Sequence, residues 1–404
     1  MLKFEYFIII FFIFFFILSR FLFPFSDVPD ITVQTAYFNK TFGFIFNYLN
    51  FNITMLNYQN VYSNCGIVAS KFSLWSYINQ VQCVVPIKTI IFNLFYTFIL
   101  LIPFVFIQFK RNFFYSISFY NKQLYDPRHW NNFIDATSLS FCFAGFIYIL
   151  GFISLESITL GLSIYVIIFI NNIIIIIPLI ILIFFLDTGS FVIIITFVSF
   201  YYFYLILSIF FNMVNIFIIV IALFVSIYFL QDYLFYFLLD NDYFEIPLSY
   251  HFLISSFVDS SLDSENAFTV SARKYPIILR PIITYMSAIY LSGMNVKVPL
   301  VYIYNFFGIA SLIYLTFKFI LNSNFKSNEF FLYKRFYLIP LIAAITTILL
   351  LVFMFPNNAY AKYYIFLLPF FFNYTLVFFD RFKILQYIFV NNFLVFYFLM
   401  LYSI

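Results

Sequence analysis

The chain has 404 residues, 65% of them hydrophobic and 9% charged, with a net charge of +4. An ordinary soluble domain is about half apolar and a quarter charged, so the composition excludes one, and no basic face is long enough to follow a nucleic-acid backbone. Phenylalanine at 69 positions and tyrosine at 35, against 8 glycines, add a second signal. Residues with T-rich codons have displaced the glycine and alanine that bilayer helices readily accept, which marks an AT-rich gene.

A crossing needs about 20 mainly apolar residues, and the sequence offers about eleven such stretches. They fall at 4–22, 88–109, 133–155, 159–186, 190–211, 213–231, 276–293, 298–320, 336–355, 361–379 and 384–403. Unpaired backbone is costly in lipid, so these must be helices or a closed barrel. Barrel strands alternate polar and apolar over roughly 10 residues, whereas the run at 173–186 is apolar throughout. The predicted fold is therefore all-α, a polytopic transmembrane helical bundle of about eleven spans, with 1–404 as one membrane domain. The first stretch is followed by Arg20, Phe21 and Phe23 with no paired small residues for cleavage, and reads as a retained anchor. The stretch at 276–293 opens on Pro276, Arg280 and Pro281 and is the weakest, with a re-entrant or tilted element as the alternative.

Orientation follows from Lys and Arg in the short loops. Lys110, Arg111, Lys122 and Arg128 follow the second span, Lys318, Lys326, Lys334 and Arg335 the eighth, and Arg381 and Lys383 the tenth. Counting crossings puts all three clusters, with the N-terminus, on one face if the element at 276–293 crosses.

Two polar segments interrupt the spans. Residues 24–87 are rich in Asn, Tyr, Ser and Thr and suit a small packed structure or a partner-docking loop. Residues 232–274 are acidic. Between Asp232 and Glu265 lie seven carboxylates and no Lys or Arg. Asp240, Asp242 and Glu245 are spaced so that they can share a hard cation such as Mg²⁺. The simpler account is a solvated segment whose acids pair with Arg273, Lys274 or a neighbouring subunit. That account predicts that changing Asp240 and Asp242 to Asn weakens assembly and leaves membrane insertion intact.

Other chemistry is sparse. Glu156 and Asp187 stand at span ends, where headgroups or water reach them, so interfacial roles outweigh proton carriage. His129, between Arg128 and Trp130 and just before a span, suits an interfacial anchor that contacts lipid phosphate through Arg128. His251 has no second intramembrane histidine with which to hold a haem. Arg280 is apolar-flanked, and the polar neighbours of a proton half-channel are few around it. Cys142 lies in an apolar run and reads as a buried thiol. Cys65 and Cys83 share one polar loop, and a bridge between them is open if that loop faces an oxidising compartment. Zinc spacings, phosphate loops and nucleophile elbows do not occur. No cofactor, metal or catalytic residue is expected.

In composition and all-membrane layout the chain resembles the mitochondrially encoded, highly diverged respiratory-chain subunits of ciliates. Asp126-Pro127-Arg128-His129-Trp130 and Glu245-Ile246-Pro247-Leu248 occur in the order of two short segments of cytochrome c oxidase subunit III. The His- and Trp-rich closing helices of that family are missing, and there are more spans than its seven. The resemblance implies a non-catalytic helical subunit of the mitochondrial inner membrane that binds other membrane subunits and phospholipids such as cardiolipin. Arg128, His129, Trp130, Asp240, Asp242, Glu245 and Arg280 are then the lipid or partner residues. The alternative is a bacterial inner-membrane lipid-linked glycan polymerase, in which Asp27, Asp30, Arg280 and Lys362 would face a phosphate-linked glycan.

Overall fold

The computed structural model describes residues 4–22, 98–102, 104–118, 127–150, 155–211, most of 215–226, 279, 334–354 and 364–401. The segments at 24–87 and 232–274 and the predicted spans at 276–293 (save residue 279) and 298–320 lie outside them. Regular structure among the described residues is helical throughout. In chain order it comprises α1 (Phe4–Leu22), α2 (Phe98–Phe109), α3 (Arg111–Ser118), α4 (Pro127–Phe141), α5 (Ala144–Leu150), α6 (Leu155–Ile168), α7 (Ile173–Leu186), α8 (Thr188–Phe210), α9 (Ile339–Met354), α10 (Leu368–Thr375) and α11 (Arg381–Leu401). A π turn, Lys334–Leu338, leads into α9, and a 3-10 turn, Ile365–Leu367, leads into α10.

Most predicted spans are shorter or broken. Among the described residues, one helix is by itself long and apolar enough to cross a membrane, Gly189–Phe210 within α8. The pair α2 and α3 would be a second if its 93° bend is counted within one span. The eleven crossings expected from the sequence are therefore not realised as eleven full-length helices among these residues. The reasons are local. Residues 133–155, expected as one span, break between α4 and α5 at Cys142 and Phe143. Residues 159–186 divide into α6 and α7, interrupted at Asn171 and Asn172, whose short amides compete with the helix backbone. Within 361–379 the described regular elements are the 3-10 turn and the eight residues of α10, and all eight are buried. A helix apolar all round belongs in the middle of a bundle. The last helix is long enough, but Arg381, Lys383, Gln386, Asn391 and Asn392 dilute its apolar character.

The chain divides into two compact units, one of 1–192, 303–319 and 365–404, the other of 193–302 and 320–364. In the first, α10 packs on α4, and α1 packs on α5 and α11. Helices α1 and α11 run parallel, as a ladder of rings shows: Phe4 to Phe382 at 5.3 Å, Phe11 to Phe389 at 6.0 Å, Phe15 to Phe396 at 5.6 Å. Helices α6 and α7 form an antiparallel hairpin. At its open end Thr159 Oγ1 and Ser190 Oγ are 3.4 Å apart. At its turn Asn172 Nδ2 donates to the carbonyl of Ile117 at 2.7 Å, and Phe169 meets Phe114 at 6.2 Å. Each arm has 14 residues, about 21 Å at the helical rise. In the second unit, α8 meets α9 through the Tyr204 hydroxyl and Thr346 Oγ1 at 3.2 Å.

The core is mainly aromatic and aliphatic, and burial departs from that of a soluble fold in its hydroxyls and in its outer surface. Thr137, Ser138, Ser140, Ser157, Thr159, Ser163, Thr346, Thr347 and Thr375 are buried, while Ile174, Phe185, Ile209 and Phe210 are three-quarters exposed. Several of the buried hydroxyls are satisfied within their own helices. Thr137, Ser140, Thr347 and Thr375 donate to the carbonyl four residues back at 2.7–2.9 Å, a bond that needs no water.

Candidate functional site: a buried charge cluster and a helix clasp

Helix α4 starts at Pro127 because a proline at the first helical position loses no hydrogen bond and has its φ preset. About two turns further on its inward face carries Asp135, whose side chain is 9% exposed. Three charged residues from three other helices converge at that level. Arg111 Nη2 lies 2.9 Å from Asp135 Oδ1 and 3.5 Å from Glu5 Oε1, and Arg381 Nη1 lies 3.5 Å from Asp135 Oδ2.

The bend between α2 and α3 delivers Arg111. The chain turns at Lys110, whose carbonyl accepts the Phe113 N–H at 3.0 Å. Two contacts hold the bend: Trp130 Nε1 donates to the Arg111 carbonyl at 3.1 Å, and Arg111 Nε donates to the Gln108 carbonyl at 3.2 Å. Gln108 Nε2 also donates to Ser138 Oγ, one turn beyond Asp135. Arg381 is delivered by the start of α11, where Asp380 Oδ2 accepts the Phe382 N–H at 3.2 Å as an N-cap. The Arg381 guanidinium lies over the Phe4 ring, 4.6 Å from its centre.

Two arginines and two carboxylates make the quartet electrically neutral. A lone carboxylate so deeply buried would cost several kcal/mol, and the two arginines, at 2.9 and 3.5 Å, offset part of that cost. The quartet thus fastens the starts of α1, α3 and α11 to one point on α4. It also brings Arg111 and Arg381, members of two separate basic clusters of the sequence, onto a single carboxylate.

A second polar locus spans the break between α4 and α5. Asn392, fully buried in the middle of α11, accepts the Ala144 N–H through Oδ1 at 2.9 Å and donates from Nδ2 to the Cys142 carbonyl at 2.7 Å. A helix break strands one donor and one acceptor, and a single primary amide answers both. Cys142 is free and buried beside the carbonyl of Ile8, its Sγ 3.8 Å from that oxygen.

The predicted site residues fare differently. Asp240, Asp242, Glu245 and Arg280 lie outside the described residues, as do Cys65 and Cys83. Arg128 and His129 are in the first turn of α4. Trp130, expected as a headgroup-level anchor, is 4% exposed and holds the α2–α3 bend, so its indole N–H is spent inside the protein. Glu156 is in the first turn of α6. Asp187 caps α8: Oδ1 accepts the Gly189 N–H at 3.0 Å, and Oδ2 accepts the Ser190 hydroxyl at 2.5 Å.

Sequence reasoning passed over Asp135 and Asn392. The first stands inside a predicted span, where a carboxylate is itself a signal. The second was visible as the adjacent pair Asn391 and Asn392 in the middle of an apolar stretch. Among the described residues no group of three or more His, Cys, Asp or Glu is placed to hold a metal. No family model, characterised protein or solved structure matches the chain.

Proposed function

We propose that the chain is a non-catalytic, membrane-embedded subunit of a respiratory-chain assembly in the mitochondrial inner membrane. The observation that carries membrane embedding is the broad apolar outer surface, with Ile174, Phe185, Ile209 and Phe210 three-quarters exposed beside an apolar core that also holds buried hydroxyls and amides. Such a surface is stable in hydrocarbon and aggregates in water. The Phe- and Tyr-rich, Gly-poor composition supports an AT-rich organellar gene. Membership of an assembly accords with exposed apolar faces on helices, such as α7, too short to match a bilayer of about 30 Å unaided. Asp135, Arg111, Arg381 and Asn392 each tie one helix to another, a role proper to a scaffolding subunit.

Extraction of native membranes in mild detergent, followed by native gel separation and mass spectrometry, tests this. The expected outcome is co-migration with a large respiratory assembly. Recovery as a free monomer overturns the subunit reading, and release by an alkaline carbonate wash overturns membrane embedding. A divalent-dependent glycan transferase activity lost on Asp240→Asn would favour the polymerase alternative.

A further inference from the structure

We propose that α3 is a helix of the membrane surface: it lies flat in the headgroup layer of one leaflet, and α2 alone enters the hydrocarbon beneath it. This rests on the membrane embedding proposed above and adds where the protein meets one face of the bilayer. Three observations agree on it. The first is the 93° bend between α2 and α3. A helix that runs along the bilayer normal and then turns through a right angle continues in the membrane plane. From Phe98 to Phe109, α2 rises about 18 Å, enough for one leaflet of a hydrocarbon core of about 30 Å.

The second is a change of surface at the bend. Every exposed residue described in α2, from Phe98 to Phe109, is Phe or Ile. The first exposed polar residues are Lys110 and Asn112, at the bend itself. The third is the division of α3 along its length. Successive residues point about 100° apart around a helix. Phe114 faces back along α2, its ring 5.6 Å from that of Phe106. Asn112 and Ser116, both exposed, fall on the opposite side, away from the body of α2. Phe113, 58% exposed, and the half-buried Ile117 lie between. The remaining side is taken by protein, where the Tyr115 ring lies 6.3 Å from that of Trp130 and the Trp130 indole holds the Arg111 carbonyl. On the open half of α3 the line between polar and apolar therefore runs parallel to the helix axis, whereas on α2 it falls across the end. A helix lying in the interface has the first arrangement and a crossing helix the second. A partner protein would have to match a polar and an apolar flank together; the edge of a bilayer presents both at once.

The test uses the full chain, with Cys65 and Cys83 changed to Ser and the buried Cys142 retained, in phosphatidylcholine vesicles. Single cysteines replacing Ile102, Phe109, Asn112, Phe113, Ser116 and Ile117 carry a nitroxide, and its collisions with oxygen and with a water-soluble nickel chelate give its depth. Ile102 is expected about 10 Å deeper than Phe109, as the rise of the helix requires. Asn112 and Ser116 should meet the chelate equally, while Phe113 and Ile117 should meet oxygen at one shared depth. A depth that changes steadily from 109 to 117 overturns the proposal, because α3 would then continue the crossing. Equal access of the chelate to all four α3 positions overturns it too, as does shielding of all four from both reagents, the mark of a protein cover. Should a label at Ile117 disturb its packing, the contrast between Asn112 and Phe113 decides. Free access of the chelate to Ile102 would defeat the embedding itself; an oxygen-rich Ile102 with any of the adverse results defeats the surface helix alone.

Discussion

Arg111 and Asp135 meet at 2.9 Å across two helices, and every other charge in the cluster is arranged around that contact. Removing one partner of a buried pair leaves an uncompensated charge and costs on the order of 3–5 kcal/mol. Arg111→Gln is therefore expected to lower the midpoint of thermal or detergent denaturation sharply. Arg381→Gln, which removes a longer and half-exposed contact, should cost no more than about 1 kcal/mol. Equal losses from the two would show that the geometry does not set the ranking.

The clasp at Asn392 gives a second ranking. Asn392→Leu keeps the volume but strands the Ala144 N–H and the Cys142 carbonyl, each costing about 1–3 kcal/mol when buried. Cys142 reports the result directly: in a background with Cys65 and Cys83 changed to Ser, a maleimide should leave it unmodified in the native protein. In Asn392→Leu it should react well below the denaturation midpoint. Unchanged protection would mean that the break is held by something other than this amide.

The hairpin of α6 and α7 changes what labelling should find. A single crossing at 159–186 would bury Asn171 near the bilayer centre. The hairpin instead places its turn beside α3, on the side of Lys110 and Arg111. Cysteines at Asn171 and at the exposed Asn112 should thus be modified by an impermeant reagent from the same face. Modification from opposite faces, or protection at 171 alone, would sink the hairpin.

An Asp187→Ala change tests the cap on α8. Loss of an N-cap carboxylate is expected to cost about 1 kcal/mol, far less than a proton-carrying residue would show in function. Assembly yield should fall slightly, and Asp187→Asn, which keeps the capping oxygen, should restore it.

Helix as the sole regular element among the described residues was legible from the runs of Ile, Leu and Phe, because period and hydropathy alone decide that question. The interruptions were harder. A break at Cys142 leaves no mark in hydropathy, since Phe141 and Phe143 flank it and its stabilising partner is 250 residues away. The Asn171 and Asn172 turn was more visible, being two helix-competing residues inside an apolar stretch. The place of Trp130 at the α2–α3 bend was hidden for a related reason: amphipathic residues near a span end serve headgroups and helix bends alike, and only the position of Arg111 reveals the second role. The convergence of Arg111 and Arg381 was foreshadowed by the charge distribution, but their common carboxylate was not, because pairing across 246 residues carries no local signal.

The span between Ala144 and Asn392 has a consequence for biogenesis. The amide that completes the break arrives 248 residues after the backbone it serves, and translation at about 5–20 residues per second makes that a wait of roughly 12–50 s. During that interval the nascent α4 and α5 must hold an open donor and acceptor, and in the membrane reading proposed above they do so in lipid or against an insertion factor. Ribosome-bound chains truncated before residue 392 should accordingly crosslink to the insertion machinery through positions near Cys142, and release it once α11 has emerged.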